Sequence, residues 1–81
     1  MTALQWAQWK VANATVRLGK LRVAMAEAGD ARRRALVATK IAAEEAILAE
    51  QGAEIARLTA AESERFDAAV RDVLRRAGVL P

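Results

Sequence analysis

A chain of 81 residues can form at most one domain, and a domain of this size buries only about 60% of its unfolded surface, so its stability is marginal. The absence of cysteine and histidine excludes disulfides, thiol or imidazole catalysis and the usual zinc ligands. Alanine dominates the hydrophobic 54% and aromatic residues make up 4%, which favours helices. We therefore expect an all-α protein that is not an enzyme and uses no cofactor, no metal and no small-molecule substrate.

The net charge of +3 conceals a polarised chain. Residues 1–40 hold eight cationic and two acidic side chains, a net charge of +6, whereas residues 41–81 hold five arginines and eight acids, a net charge of −3. Such a chain suits acidic partners at one end and basic partners at the other, or copies of itself joined head to tail.

The first predicted helix covers about residues 3–28. Thr2 and Gln5 have the spacing of a capping box, and apolar residues then recur with helical period up to Ala28. One side of this helix has the heptad pattern of a core face: Leu4, Ala7, Val11, Ala14, Leu18, Leu21, Met25 and Ala28.

The opposite side of the first helix is also apolar, with Trp6, Trp9, Val16 and Val23 spaced three and seven residues apart. Tryptophan is enriched at binding hot spots, so these four residues are a candidate partner-binding surface. The alternative is that a third helix, with Phe66 as its only large residue, packs over the tryptophans and closes a three-helix core.

The second predicted helix covers about residues 31–58, after Gly29 and Asp30 supply a stop and a new cap. Gly52 lies within it and marks a point where the helix is either continuous or kinked. One side is aliphatic, with Leu36, Val37, Ile41, Ile47, Leu48, Ile55 and Leu58. Another side carries Ala35, Ala38, Ala42, Ala46, Ala49, Ala53, Ala56 and Ala60. These alanines either allow a close helix contact or simply reflect the composition.

The third predicted helix covers about residues 60–77. Thr59 and Glu62 form a second capping-box pattern, and Gly78 is a typical C-terminal cap. One stripe of this helix is apolar: Phe66, Ala69, Val70, Val73 and Ala77. The expected fold of the single domain 1–81 is thus three helices, a long antiparallel hairpin plus a shorter C-terminal helix, in an oligomeric bundle.

Three consecutive arginines follow the predicted cap Asp30, although the positive end of a helix dipole disfavours cations there. An antiparallel hairpin would bring Lys20 and Arg22 towards Arg32, Arg33 and Arg34, and would make one end of the molecule basic. This cluster is a candidate contact for an anion or a nucleic acid. An acidic patch on a protein partner and plain solvation remain open as alternatives.

Four glutamates in the second helix, Glu44, Glu45, Glu50 and Glu54, form a candidate acidic face. Glu44 lies inside the aliphatic stripe, where an unpaired carboxylate is costly, so we expect it to pair with an arginine or to face a polar interface. The main expectation for the four is a solvated or ion-paired face, and a divalent-metal site is the minor alternative.

The sequence has neither a signal-peptide pattern nor an apolar run long enough for a membrane span, which predicts a cytoplasmic protein, or one within a particle assembled in the cytoplasm, with no membrane contact. The first hypothesis is an assembly or interaction protein, such as a small phage or virion structural or accessory component, whose partners are itself or a larger protein assembly. The second is a small basic nucleic-acid-binding protein. The third is an inhibitor or nucleic-acid mimic that uses the acidic face of the second and third helices.

Overall fold

The computed structural model describes residues 1–81 and consists of two helices without any strand. Helix α1 covers Ala3–Glu27 and helix α2 covers Ala31–Arg76. A short turn at residues 28–30 reverses the chain, so the helices run antiparallel in an elongated hairpin of 71 × 20 × 15 Å. The predicted all-α class is confirmed, but the predicted number of three helices is wrong.

The predicted second and third helices are one helix of 46 residues, which passes through Gly52 and Thr59 without interruption. The capping box at Thr59 and Glu62 is not used, because the N–H groups after Thr59 already bond to carbonyls of the preceding turn. Strong helix formers flank both sites, and the cost of about 1 kcal/mol for one internal glycine does not outweigh them. Gly52 is therefore neither a helix end nor a site of close approach: a Cβ there would meet nothing within 4 Å.

The true helix ends have the caps that the sequence indicates. At the start of α1, the Thr2 hydroxyl accepts a hydrogen bond from the Gln5 N–H at 3.1 Å, and the Gln5 side chain accepts one from the Thr2 N–H at 2.9 Å. The Asp30 carboxylate caps α2 by accepting from the Arg33 N–H at 2.7 Å. After α2, Gly78 has a φ of 78°, a left-handed conformation that glycine adopts without steric cost.

The two helices meet along a single seam. On α1, the predicted core face is the inner face, and Ala7, Ala14 and Leu18 on it are buried. On α2, the inner positions alternate in steps of four and three residues: Val37, Ile41, Glu44, Leu48, Gln51, Ile55 and Leu58. Leu36, predicted in this stripe, is instead exposed, because one facing helix covers only a narrow stripe of its partner. Only five residues of the chain are buried, so the core is thin.

Helix α2 continues well past the start of α1. Ala3 and Trp6, in the first turn of α1, border a cleft with Gln51 and Glu54 of α2. Residues 62–76 of α2, called here the extension, lie beyond that point, and residues 62–73 are all exposed. The apolar residues predicted to form a third helix's stripe, Phe66, Ala69, Val70, Val73 and Ala77, are called the extension stripe. It faces solvent, and Phe66 is 69% exposed.

A proline substitution distinguishes one continuous helix from two. Ala60→Pro should cost about 3 kcal/mol of helix stability, because position 60 is inside α2, where proline removes a hydrogen bond and clashes with the preceding turn. If Thr59 capped a separate helix, position 60 would be its first residue and would tolerate proline. Circular dichroism should show reduced helicity for this variant.

The matched control is Ala31→Pro, at the first residue of α2. The preceding residue, Asp30, has φ −139° and ψ 161°, a conformation that suits a position before proline. The helicity of the Ala31→Pro variant should equal that of the parent. Equal helicity for both variants would contradict a continuous α2.

Candidate interaction surfaces

Trp9 lies on the outer side of α1, and Trp6 lies on the adjoining flank, where it borders the cleft with Gln51 and Glu54 of α2. Their rings stack with centroids 4.9 Å apart and planes 6° from parallel, and the Lys10 ammonium nitrogen lies 5.2 Å from the centre of the Trp6 ring. The side chains are 46% and 50% exposed. A third helix does not cover them, because the residues predicted for that helix continue α2 away from α1.

Val16 and Val23 continue the same side of α1 and are each 58% exposed. The outer α1 face is defined here by Trp6, Trp9, Val16 and Val23. Single exposed valines are ordinary on protein surfaces, whereas two stacked tryptophans offer a rigid apolar area of the kind found at binding hot spots. The four predicted partner-binding residues therefore share one accessible face.

The predicted basic cluster is divided between two places. Arg32 and Arg33 line a shallow groove with Asp30 and Leu36 at the start of α2. Lys20 instead lines a groove between the helices with Lys40 and other residues, about two turns of α2 further along. Arg22 and Arg34 are exposed. None of the five predicted cations, Lys20, Arg22, Arg32, Arg33 and Arg34, forms an ion pair with a side chain of this chain.

The groove between the helices contains the one ion pair that joins α1 to α2. Arg17 Nε donates a hydrogen bond to Glu44 Oε1 at 2.8 Å, as the position of Glu44 in the aliphatic stripe predicts. This hydrogen bond raises the pKa of Arg17 above its ordinary value. The Glu44 side chain is only 16% exposed, and its second oxygen, Oε2, is buried without a partner.

The other glutamates do not join Glu44 in one acidic face. Glu54 accepts from Arg57 Nε at 3.0 Å within α2, and it borders the cleft at Trp6 together with Glu50. Glu45 is exposed on a different side of the helix. No group of three or more acidic residues is placed so as to hold a metal ion. The geometry thus places Glu50 and Glu54 at one cleft and separates them from Glu44 and Glu45.

The pKa of Glu54 is lowered from its ordinary value by two cations. The main cause is the hydrogen bond from Arg57, which outweighs the opposing effect of partial desolvation. The charges of Arg57 and, to a smaller extent, of Lys10 on α1 lower it further. The Lys10 effect crosses the hairpin, so Glu54 reports on the alignment of the two helices.

Two features of the seam and the outer surface are clearer in the structure than in the sequence. Gln51 is buried in the seam although it is polar, and its signal is the heptad register shared with Glu44. The outer side of α2 is a row of small residues, whose members are all exposed: Ala35, Thr39, Ala42, Ala46, Ala49, Ala53, Ala56, Ala60 and Ser63. This outer α2 face, which includes most of the predicted alanine seam, points away from α1.

No family model, curated protein or solved structure matches this chain. Neither helix contains a stretch of length and hydropathy sufficient to cross a membrane.

Breaking the ion pair between the helices from one side should destabilise the hairpin. In Arg17→Met, the largely enclosed Glu44 side chain loses its only hydrogen-bond donor, so the melting temperature should fall. In the double variant Arg17→Met/Glu44→Leu, the charge is gone and an apolar side chain fills the seam, so the melting temperature should return to the parent value or exceed it. A double variant that melts lower than Arg17→Met would contradict this assignment.

The titration of Glu54 tests the geometry at the other end of the hairpin. Because its folded pKa is below the unfolded value, Glu54 contributes stability above the unfolded pKa, and this contribution is lost as the pH falls through the folded pKa. NMR titration of the Glu54 carboxyl carbon should show the pKa rising in Arg57→Gln and rising by less in Lys10→Gln. Lys40→Gln, remote from this carboxylate, serves as the control. An unchanged pKa in Arg57→Gln would contradict the hydrogen bond.

Proposed function

We propose that this chain is a non-enzymatic assembly protein that associates with further copies of itself through helix faces that the hairpin leaves uncovered. The observation that carries the proposal is the extension of α2 past α1, with an apolar stripe exposed along it. This solvent-facing stripe contains Phe66 and two valines. Each of these large side chains that a partner helix buries contributes about 1.5 to 3 kcal/mol to the free energy of association.

The extension also needs a partner for its own stability. Fifteen residues at the free end of a helix, without tertiary contacts, are marginal in water, because each added hydrogen bond barely offsets the loss of backbone freedom. A second helix laid on the stripe would supply the packing that α1 supplies to the first half of α2. Association and folding of the extension are therefore linked in this proposal.

The charged side chains that form ion pairs and helix caps support a structural role rather than a catalytic one. Arg17 with Glu44, Arg57 with Glu54 and Arg76 with Asp72 are ion pairs that tie helices or helix turns together. Asp30 is committed as a helix cap. The large side chains without internal partners include Phe66, Val70 and Val73 on the extension as well as both tryptophans, and exposed apolar groups of this size are typical of surfaces that contact proteins.

The test is the mass of the full chain in solution over a range of concentration. Between about 1 and about 200 µM, analytical ultracentrifugation should show a change from monomer to dimer or larger species, and the melting temperature should rise with concentration. A monomer at every concentration, with a melting temperature that does not change, would contradict the proposal.

Added salt separates apolar association from charge-driven association. If the apolar faces provide the contact, raising the salt from about 0.1 to about 1 M should leave the association in place, because salt screens exposed charges and does not weaken apolar burial. If the oppositely charged halves of the chain join head to tail, association should be lost at high salt. That loss would count against the apolar faces.

A further inference from the structure

We propose that two copies pair antiparallel through their extension stripes, so that each extension occupies the position on the partner's α2 that α1 leaves empty. This inference rests on the proposed self-assembly and names the interface and its geometry. The occupant of the exposed stripe is thus a second copy of this chain.

The extension stripe lies on the same side of α2 as the seam with α1. At about 100° of rotation per residue, the seam residues from Val37 to Leu58 span an arc of about 100°, and Phe66, Val73 and Ala77 fall within that arc. Thr59 and Glu62 separate the two apolar parts of this side of α2, and α1 covers only the first part. A partner helix can occupy the second part without displacing α1.

Side-chain size favours the antiparallel arrangement of the two extensions. With a two-fold axis between residues 71 and 72, Phe66 lies opposite the partner's Ala77, and Val70 lies opposite the partner's Val73. Each layer then combines a large with a small residue or two of equal size, which keeps the helices evenly spaced. In a parallel pair, Phe66 would meet Phe66 and Ala77 would meet Ala77, which gives a wide and a narrow end.

Charge favours the same arrangement. Residues 62–67 contain three acids and one arginine, a net charge of −2, whereas residues 71–76 contain three arginines and one aspartate, a net charge of +2. With the axis between residues 71 and 72, Asp67 lies opposite the partner's Arg76 and Arg71 lies opposite the partner's Asp72, so opposite charges meet along the interface, whereas parallel pairing places like charges together. This difference in charge pairing favours the antiparallel orientation and favours a second copy of the chain as the partner.

The chain ends also fit this dimer. The partner's extension runs in the same direction as α1 and ends in front of it, so the negative end of one helix dipole points at the positive end of the other. Three exposed apolar side chains lie near this junction: Met1 before α1, and Val79 and Leu80 after the partner's α2. The product is a rod two helices thick, with an overall length of about 120 Å from the rise per residue.

Disulfide trapping tests the pairing directly. Val70→Cys and Val73→Cys chains, made distinguishable by mass, are mixed and oxidised, and the mixed disulfide between positions 70 and 73 should predominate, because these positions face each other. Predominance of the like disulfides, 70 with 70 and 73 with 73, would indicate parallel pairing and overturn the proposal. Ala49→Cys, on the outer α2 face, is the control and should stay unlinked.

A charge-insertion pair tests whether the stripe drives association. Val70→Glu/Val73→Glu should weaken the dimer at least about tenfold, and it should leave the hairpin folded, because the extension touches nothing in the monomer. The matched control, Val16→Glu/Val23→Glu, puts the same charges on the outer α1 face and should dimerise like the parent. Equal weakening of both variants would overturn the proposal.

These experiments distinguish a failure of the extension interface from a failure of the proposed self-assembly. Association that persists in Val70→Glu/Val73→Glu and links through Ala49→Cys would keep the assembly function and overturn the extension interface. A parent chain that stays monomeric would overturn both. Small-angle scattering supports the interface if the longest dimension of the dimer is about 120 Å, and contradicts it if the dimension stays near the 71 Å of the hairpin.

Discussion

The single seam between α1 and the first part of α2 is the contact on which the rest of the structure depends. Two helices can exclude water only along the line where they touch, so a hairpin buries a narrow stripe of each and leaves the other sides open. The small number of buried residues follows from this geometry, as does the exposure of Leu36 and of both tryptophans. The thin core is a consequence of helix number rather than of composition.

The short turn at residues 28–30 and the Arg17–Glu44 ion pair in the seam together limit how the helices are aligned. Alanine and leucine layers are similar to one another, and they would tolerate a slide of one helix along the other. A shift by one turn would separate the largely buried Glu44 carboxylate from Arg17, so the ion pair opposes such a slide. The alignment sets the start of α1 relative to α2, and it therefore sets how much of α2 extends beyond the hairpin.

The two outer faces differ in the size of their side chains. The outer α1 face carries two stacked tryptophan rings, and the outer α2 face carries a row of alanines. In a rod formed through the extensions, both of these faces stay on the outside. The separated basic groups, Lys20 beside Lys40 and Arg32 beside Arg33, also stay accessible there.

The sequence by itself determined the helical class, the caps at Thr2 and Asp30, and the inner face of α1, because these depend on local hydrogen bonds and on a period repeated over many residues. It also indicated that Glu44 would need a cation. Only the tertiary structure decided that residues 59–62 continue a helix. A capping box can start a new helix at Thr59 only if the backbone hydrogen bonds of the preceding helix stop there, and the spacing of Thr59 and Glu62 does not show whether they stop. The separation of Lys20 from Arg32 follows from the turn at residues 28–30, which places Lys20 beside Lys40. The solvent exposure of the extension stripe was decided by the tertiary structure, because it depends on where α1 ends along α2 and on which residues α1 covers.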